Sequence, residues 1–195
     1  MESLGTGAIC VRKFTLQDVE KKVHWINDDR NHKFLHYDLP LNLEKTIAWF
    51  ERVQSAEDRI DAVIEVDGKP VGLIGLLNVD LKNRKTEYYI CIGEPSHQHR
   101  GVAAQASRLL LNYAFTTMQM NRIYLYTEPE NQDARHLFET LGFQLEGCLR
   151  EDLICGDRKV DRLIYAITRQ EFFNGDLDPS AVAGDESEPF LHQAR

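Results

Sequence analysis

Hydrophobic and polar positions change their spacing several times along the chain, and each change marks an element. Ala8 to Phe14 is rich in apolar and β-branched residues and reads as a short strand. Thr15, with Asp18 three positions on, then caps a helix in which Val19, Val23 and Ile26 share an apolar face, and which ends near Asn27. Asp28 to Pro40 has no period and reads as a loop, after which Asn42 caps a second helix with Leu43, Ile47 and Phe50 on one side. Asp61 to Val66 and Pro70 to Val79, joined through Asp67-Gly68, form a hairpin, and a further strand runs from Arg84 to Ile92. Gly101 opens the most periodic helix, with Val102, Ala106, Leu109, Leu110, Tyr113, Ala114 and Phe115 spaced for a broad apolar face. Arg122 to Thr127 is a strand, Asn131 to Leu141 a helix stopped by Gly142, and Phe143 to Leu149 and Val160 to Thr168 are two last strands around Gly156-Asp157. The order β-α-α-β-β-β-α-β-α-β-β predicts an α/β protein, with helices packed on a mixed sheet and a ligand seated where neighbouring strands part.

Composition bounds this picture without changing it. A chain of 195 residues, 43% hydrophobic and 28% charged, fits one globular domain, here residues 7–173. No apolar run approaches the ~20 residues that span a bilayer, and the start lacks the pattern of a secretory signal, so a cytoplasmic location without a membrane partner is expected. The net charge is −8, and five of those eight charges fall between Glu171 and Arg195. Residues 174–195, rich in Gly, Pro, Ser and acids, therefore read as an acidic, disordered tail. The folded part keeps no basic excess, which argues against nucleic-acid binding. Cys10, Cys91, Cys148 and Cys155 form no C-x-x-C pair and read as reduced, mostly buried thiols. His97 and His99 have no nearby ligand to complete a metal site, and no metal is expected.

The chemistry concentrates in Glu87 to Ala106, where a strand leads through a polar turn into Gln98-His99-Arg100-Gly101-Val102-Ala103 and a long helix. Unpaired N–H groups at such a helix start, with the helix dipole behind them, suit a diphosphate, and small side chains admit it closely. No Gly-Lys-Ser/Thr follows, and the G-x-G-x-x-G of a dinucleotide fold is absent.

These residues resemble the GNAT superfamily of acetyl-CoA-dependent N-acetyltransferases. Gln98, Gly101 and Ala103 match that family's Q/R-x-x-G-x-G/A loop, and Asn131 to Phe143 matches its downstream N-x-x-A-x-x-L-F-x-x-L-G-F block. The resemblance covers about residues 8–170 and implies a mostly antiparallel sheet of six or seven strands, splayed at the acetyl-CoA site and flanked by about four helices. It implies that backbone at Cys91, Ile92 and Gly93 holds the pantetheine arm, that amides of Gln98, His99, Arg100, Gly101, Val102 and Ala103 hold the pyrophosphate, and that the Asn131 side chain reaches the pantetheine. Cys91 would act through its N–H, not its sulfur. Phe138 stands in the cofactor wall where many relatives have a tyrosine that protonates the departing thiolate; solvent or Tyr126 would supply that proton here. The attacking amine must be neutral although its free pKa is near ~10.4, so a base is required. Glu87, fourteen residues before Gly101 and on one strand face with Tyr89 and Cys91, sits where a subset of the family carries its general base.

Within the superfamily, the chain resembles the branch of bacterial spermidine, nucleotide-amino-sugar and ribosomal-protein N-terminal acetyltransferases. Trp25-Ile26-Asn27 is similar to the Trp-Arg-Asn of the amino-sugar enzymes, with Ile26 replacing the arginine. Acceptor choice is expected in the loop from Asp28 to Pro40, with Asn27, Asp28 and Tyr37 as candidate substrate residues. The expected activity is direct acetyl transfer from acetyl-CoA to a primary amine of a polyamine or amino sugar. A ribosomal-protein N-terminal acetyltransferase and a catalytically silent acyl-CoA sensor stay open as alternatives. A homodimer through Val160 to Thr168 is a family expectation.

Overall fold

In the computed structural model, residues 3–175 are described, apart from position 36. The acidic segment from Asp176 onward lies outside the described residues. Eight strands form one sheet: β1 (Leu4–Thr6), β2 (Ile9–Lys13), β3 (Ile60–Val66), β4 (Lys69–Asp80), β5 (Lys85–Ile92), β6 (Arg122–Thr127), β7 (Gln144–Cys155) and β8 (Arg158–Thr168). Five helices flank it: α1 (Val19–Asn27), α2 (Leu43–Val53), α3 (Val102–Thr116), α4 (Gln132–Thr140) and α5 (Arg169–Asn174). The spatial order is β1-β2-β3-β4-β5-β6-β8-β7, and every neighbouring pair is antiparallel except β5 with β6.

The mixed, mostly antiparallel sheet follows the sequence pattern, with two additions. Leu4–Thr6 pairs with β2, so the sheet starts before residue 7. Thr168 caps α5 through Glu171, which receives hydrogen bonds from the Thr168 backbone N–H and hydroxyl at 2.8 and 2.7 Å. Elsewhere the local signals act as read. Asp67 and Gly68 both take positive φ and close the β3–β4 hairpin. Asn42 accepts the Lys45 N–H at 3.0 Å to start α2, and Gly142, at φ 89°, follows α4.

The pleat sends alternate side chains into two cores. On one face Ala62, Ile64, Ile74 and Tyr88 pack against the apolar stripe of α3 and against Phe138 and Phe143. On the other, Phe14, Val63 and Leu73 pack under α1 and α2, with Val19, Trp25 and Ile26 from α1. The buried residues of α1 are Val19, Lys22, Trp25 and Ile26, so the inward face is rotated from the expected one and contains a lysine in place of Val23.

One expectation is corrected at the margin. The four cysteines form no disulfide, but Cys148 is exposed and the other three are only partly covered. Of the last two strands β8 is the inner one: Leu163–Ala166 lies between β6 and β7, and the outer strand is β7, whose side chains are mostly exposed.

Candidate active site

β5 is hydrogen-bonded to β4 as far as Ile92, but to β6 only at Lys85, Thr86 and Glu87. Gly72 faces Ile92 across the β4–β5 ladder, and a Cβ there would stand 2.5 Å from the Cys91 carbonyl oxygen. The missing side chain lets β4 hold β5 closely, while β6 follows β8. The two parallel strands consequently part after Glu87 and open a cleft of about 910 Å³, larger than most of the range for small-molecule sites.

One wall of the cleft is backbone. Gln98, His99, Gly101, Ala103 and Ala104 line it at the entrance to α3. Gly101 adopts φ 78° and His99 φ 55°, left-handed conformations that turn the chain sharply into the helix. Among the described residues, no backbone N–H from His99 to Ala104 has a hydrogen-bond partner. Six consecutive donors at a helix start, with only small side chains beside them at 101, 103 and 104, are suited to a diphosphate. Arg100 and Val102 do not line the cleft; Val102 is buried in the α3 core and offers a ligand only its N–H, while Arg100 is exposed at the turn before the helix. The Asn131 side-chain oxygen accepts the Ala134 N–H at 3.3 Å as the cap of α4, leaving its amide nitrogen to donate into the cleft that Asn131 lines. Phe138, buried against Tyr88, Phe143 and Tyr165, forms part of the same wall.

Cys91 and Ile92 line the cleft, but Gly93 does not. Its N–H donates to Val71 O at 2.9 Å and its carbonyl accepts Asn31 Nδ2 at 2.9 Å, so both backbone groups are already used. Gly93 is a joint rather than a ligand contact: a Cβ there would stand 2.1 Å from Trp25 Cγ. Trp25 Nε1 donates to Glu94 at 2.9 Å, and Gln98 Nε2 donates to both Asn31 Oδ1 and Ile92 O. This network ties the end of β5 to the loop after α1. Sequence reading missed Asn31, whose only local signal is an amide in a polar loop. Burial pushes the Cys91 thiol up to about 11, so it stays protonated near neutrality and has no nucleophilic character.

Glu87 stands where β5 and β6 separate, and it lines the cleft. Its Oε2 accepts Asn78 Nδ2 at 2.9 Å. Asn78 reaches it because β4 bulges between Leu77 and Asp80 and gives Asn78 φ 51°. Tyr126 also borders the cleft, with Arg162 stacked over its ring at 4.3 Å.

The other wall is made of side chains from α1, the loop after it, β3 and β5. Tyr37 lies there with Lys22, Arg30, Arg59, Asp61 and Tyr89. Arg59 binds Asp61 in a two-pronged pair at 2.6 and 2.8 Å, and Tyr89 donates to the same carboxylate at 2.8 Å. Lys22 is 7% exposed, and its ammonium sits 3.5 Å from the Trp49 ring centroid. Burial pushes its pKa down to about 8. Asn27 and Asp28 are not in this cleft. Asn27 exchanges two hydrogen bonds with the Leu41 backbone and pins the loop, while Asp28 is paired with Arg30. Both face a separate groove of about 460 Å³ between α1 and α2, lined with Glu20, Val23, His24 and Leu43. Asn27 is the last residue of α1, and its position there turns it away from the inward side set by Lys22, Trp25 and Ile26.

The fold agrees with comparisons to known proteins. Residues 8–144 match the family model described as acetyltransferase (GNAT) domain. Spermidine N(1)-acetyltransferase from Escherichia coli (strain K12) is 36% identical over 110 residues, 56% of this chain and 59% of that protein. The matched part of the chain thus spans less than two thirds of that relative's length. A putative ribosomal N-acetyltransferase, YdaF, from Bacillus subtilis (strain 168) is 31% identical over 113 residues, 58% of this chain and 61% of that protein. The crystal structure of spermidine N-acetyltransferase from Vibrio cholerae in complex with CoA and spermine superposes with a TM-score of 0.79 at 24% identity, covering 86% of this chain and 99% of that one. With a splayed β5–β6 pair, an unpaired amide row at α3 and a family model matching most of its length, the chain belongs to the acetyltransferase (GNAT) domain family.

Proposed function

We propose that the protein is an acetyl-CoA-dependent N-acetyltransferase that acts on a primary amine of a small molecule, by direct attack with both substrates bound. The observation that carries this reading is the row of unpartnered N–H groups from His99 to Ala104 opening onto the same cleft as Glu87. Acetyl-CoA supplies a thioester carbonyl for the amine to attack. Amides of Gln98 to Ala103 bind its pyrophosphate, although Gln98 N–H is already shared with Pro95 O at 3.2 Å. Backbone at Cys91 and Ile92 orients the pantetheine arm, Asn131 donates to it, and Phe138 excludes water from that wall. Glu87, steadied by Asn78, takes the amine proton through a water molecule. Phe138 has no hydroxyl, so the proton reaching the departing sulfur comes from solvent or Tyr126; a thiolate of pKa near ~8.5 leaves without a dedicated acid.

The relatives named for spermidine support a polyamine as one candidate acceptor, and an amino sugar is the other. Release of CoA thiol from acetyl-CoA against spermidine, spermine, amino sugars, amino-sugar phosphates and N-terminal peptides tests the reading. Turnover with one of the small amines is expected. Turnover with peptides alone would replace it with protein N-terminal acetylation, and binding of acetyl-CoA without turnover on any amine would replace it with an acyl-CoA sensor.

A further inference from the structure

The side-chain wall of the cleft carries a charge that the proposed reaction leaves unexplained. Lys22 is more than nine-tenths buried and lines the cavity, yet among the described residues its ammonium has no hydrogen bond and no ion pair. An ammonium brings three N–H donors, and an aromatic face satisfies at most one side of it. The nearest face is Trp49, with the ring centroids of Phe14 and Tyr37 each 5.8 Å away, and no ring face brings the full negative charge that would match the ammonium; Trp49 also carries Arg59 at 5.2 Å from its centroid. The nearest carboxylate, Asp61, is already occupied by the two-pronged contact from Arg59 and by the Tyr89 hydroxyl. Arg59 spends Nε and Nη2 on that pair. Around Tyr37 and Tyr89, two cations therefore face one spent anion. Glu87, the other acid on this face, lies further along β5 and is held by Asn78.

A buried, unpaired ammonium costs stability unless a partner arrives. We propose that Lys22, with Arg59 beside it, binds an anionic oxygen group of the acceptor, a carboxylate or a phosphate ester, so that the amine of the same molecule extends along Tyr89 and Cys91 toward Glu87. The inference rests on the reading of the cleft as an acetyl-transfer site, and it narrows the acceptor to an amine that carries an anion. A free polyamine would bring further positive charge against Lys22 and Arg59. The shared chemistry is an oxyanion; carboxylate and phosphate differ in size and charge, which the probes separate.

The test uses the full chain saturated with CoA, so that binding is read without turnover. Calorimetry compares γ-aminobutyrate with putrescine, δ-aminovalerate with cadaverine, and glucosamine 6-phosphate with glucosamine. Each pair keeps the amine and changes only the distal group. At least one anionic member is expected to bind roughly tenfold or more tighter than its partner, a margin within reach of one charge-assisted contact. Lys22→Met should abolish that margin without changing CoA affinity, and Lys22→Arg should restore part of it; thermal melts verify that both variants fold. Equal or tighter binding of the members that lack the anion, or a margin that survives in folded Lys22→Met, would overturn the proposal, as would no binding of any anionic probe. The accompanying thiol-release assay keeps the two readings apart. Anion-dependent binding without turnover on any amine removes the reaction and leaves the subsite. Efficient turnover of spermidine without an anion preference keeps the reaction and removes the subsite.

Discussion

The two walls of the cleft are built in different ways. One is backbone: a left-handed Gly101, small residues at 103 and 104 and unpaired amides that recognise a ligand without side chains. The other is side chain: Lys22 from α1, Tyr37 from a loop, Arg59 and Asp61 beside and within β3, and Tyr89 from β5. A backbone site is fixed by a few contiguous residues and suits an invariant co-substrate. A side-chain site is assembled from residues far apart in sequence, and any one of them can change without unfolding the rest. On the proposed reading, this difference gives acetyl-CoA binding to the first wall and acceptor choice to the second.

Substitutions that touch one wall should leave the other unchanged. The largest effect is expected at their junction. Glu87→Gln keeps the hydrogen bond to Asn78 in a flipped amide but removes the base, and should lower kcat by roughly a hundredfold or more, with acetyl-CoA affinity unchanged in calorimetry. Unaltered turnover between about pH 6 and 9 would remove Glu87 as the base. Next comes the backbone wall. Gly101→Glu places a side chain at φ 78° and a negative charge beside the diphosphate, and should weaken CoA binding by roughly ten- to a hundredfold while leaving acceptor selectivity intact. Unchanged affinity would place the pyrophosphate elsewhere.

How much of this was legible in the sequence follows the same division. The loop from Gln98 to Ala104 and the strand carrying Glu87 and Cys91 announced themselves, because a glycine, two alanines and a strand pattern are local signals. The same locality made the hairpin at Asp67-Gly68 and the cap at Asn42 readable. Gly93 was misread as a ligand contact because its requirement comes from Trp25, 68 residues away in the chain, whose ring occupies the space of its Cβ. Asn27 and Asp28 were misplaced because the α1 face is set by burial of Lys22, and a lysine on an inward face does not register in a hydrophobic period. Arg59, Asp61 and Tyr89 give no local signal, since their meaning lies in a contact between β3 and β5. β1 and α5 were missed because three- and six-residue elements hold too few positions for a period to form.

Lys22 ties stability to pH with a definite sign. Its folded pKa of about 8 lies below the usual value near ~10.4, so between those values the unfolded chain binds more protons. Stability should therefore rise as pH climbs from about 8 toward 10.4, by at most about 3 kcal/mol, the equivalent of that shift. Lys22→Met removes this rise and should make the protein more stable at pH 7 while weakening its grip on the acceptor, as thermal melts across the range would reveal. A variant less stable than the parent at pH 7 would mean that the contact with Trp49 outweighs desolvation. The smallest effect is expected for Tyr89→Phe. It deletes one hydrogen bond to Asp61 but leaves the Arg59 pair, and should raise acceptor KM by only a few fold, with acetyl-CoA KM unchanged.

The division into two walls is tested most directly by following backbone amide resonances of the uniformly 15N-labelled chain as CoA is added. The amides from His99 to Ala104 should shift most, with Cys91 and Ile92 close behind, while Gly93 and the surroundings of Lys22 and Asp61 stay nearly unmoved. Shifts centred on α1 and β3, with the amides from His99 to Ala104 unchanged, would contradict the account.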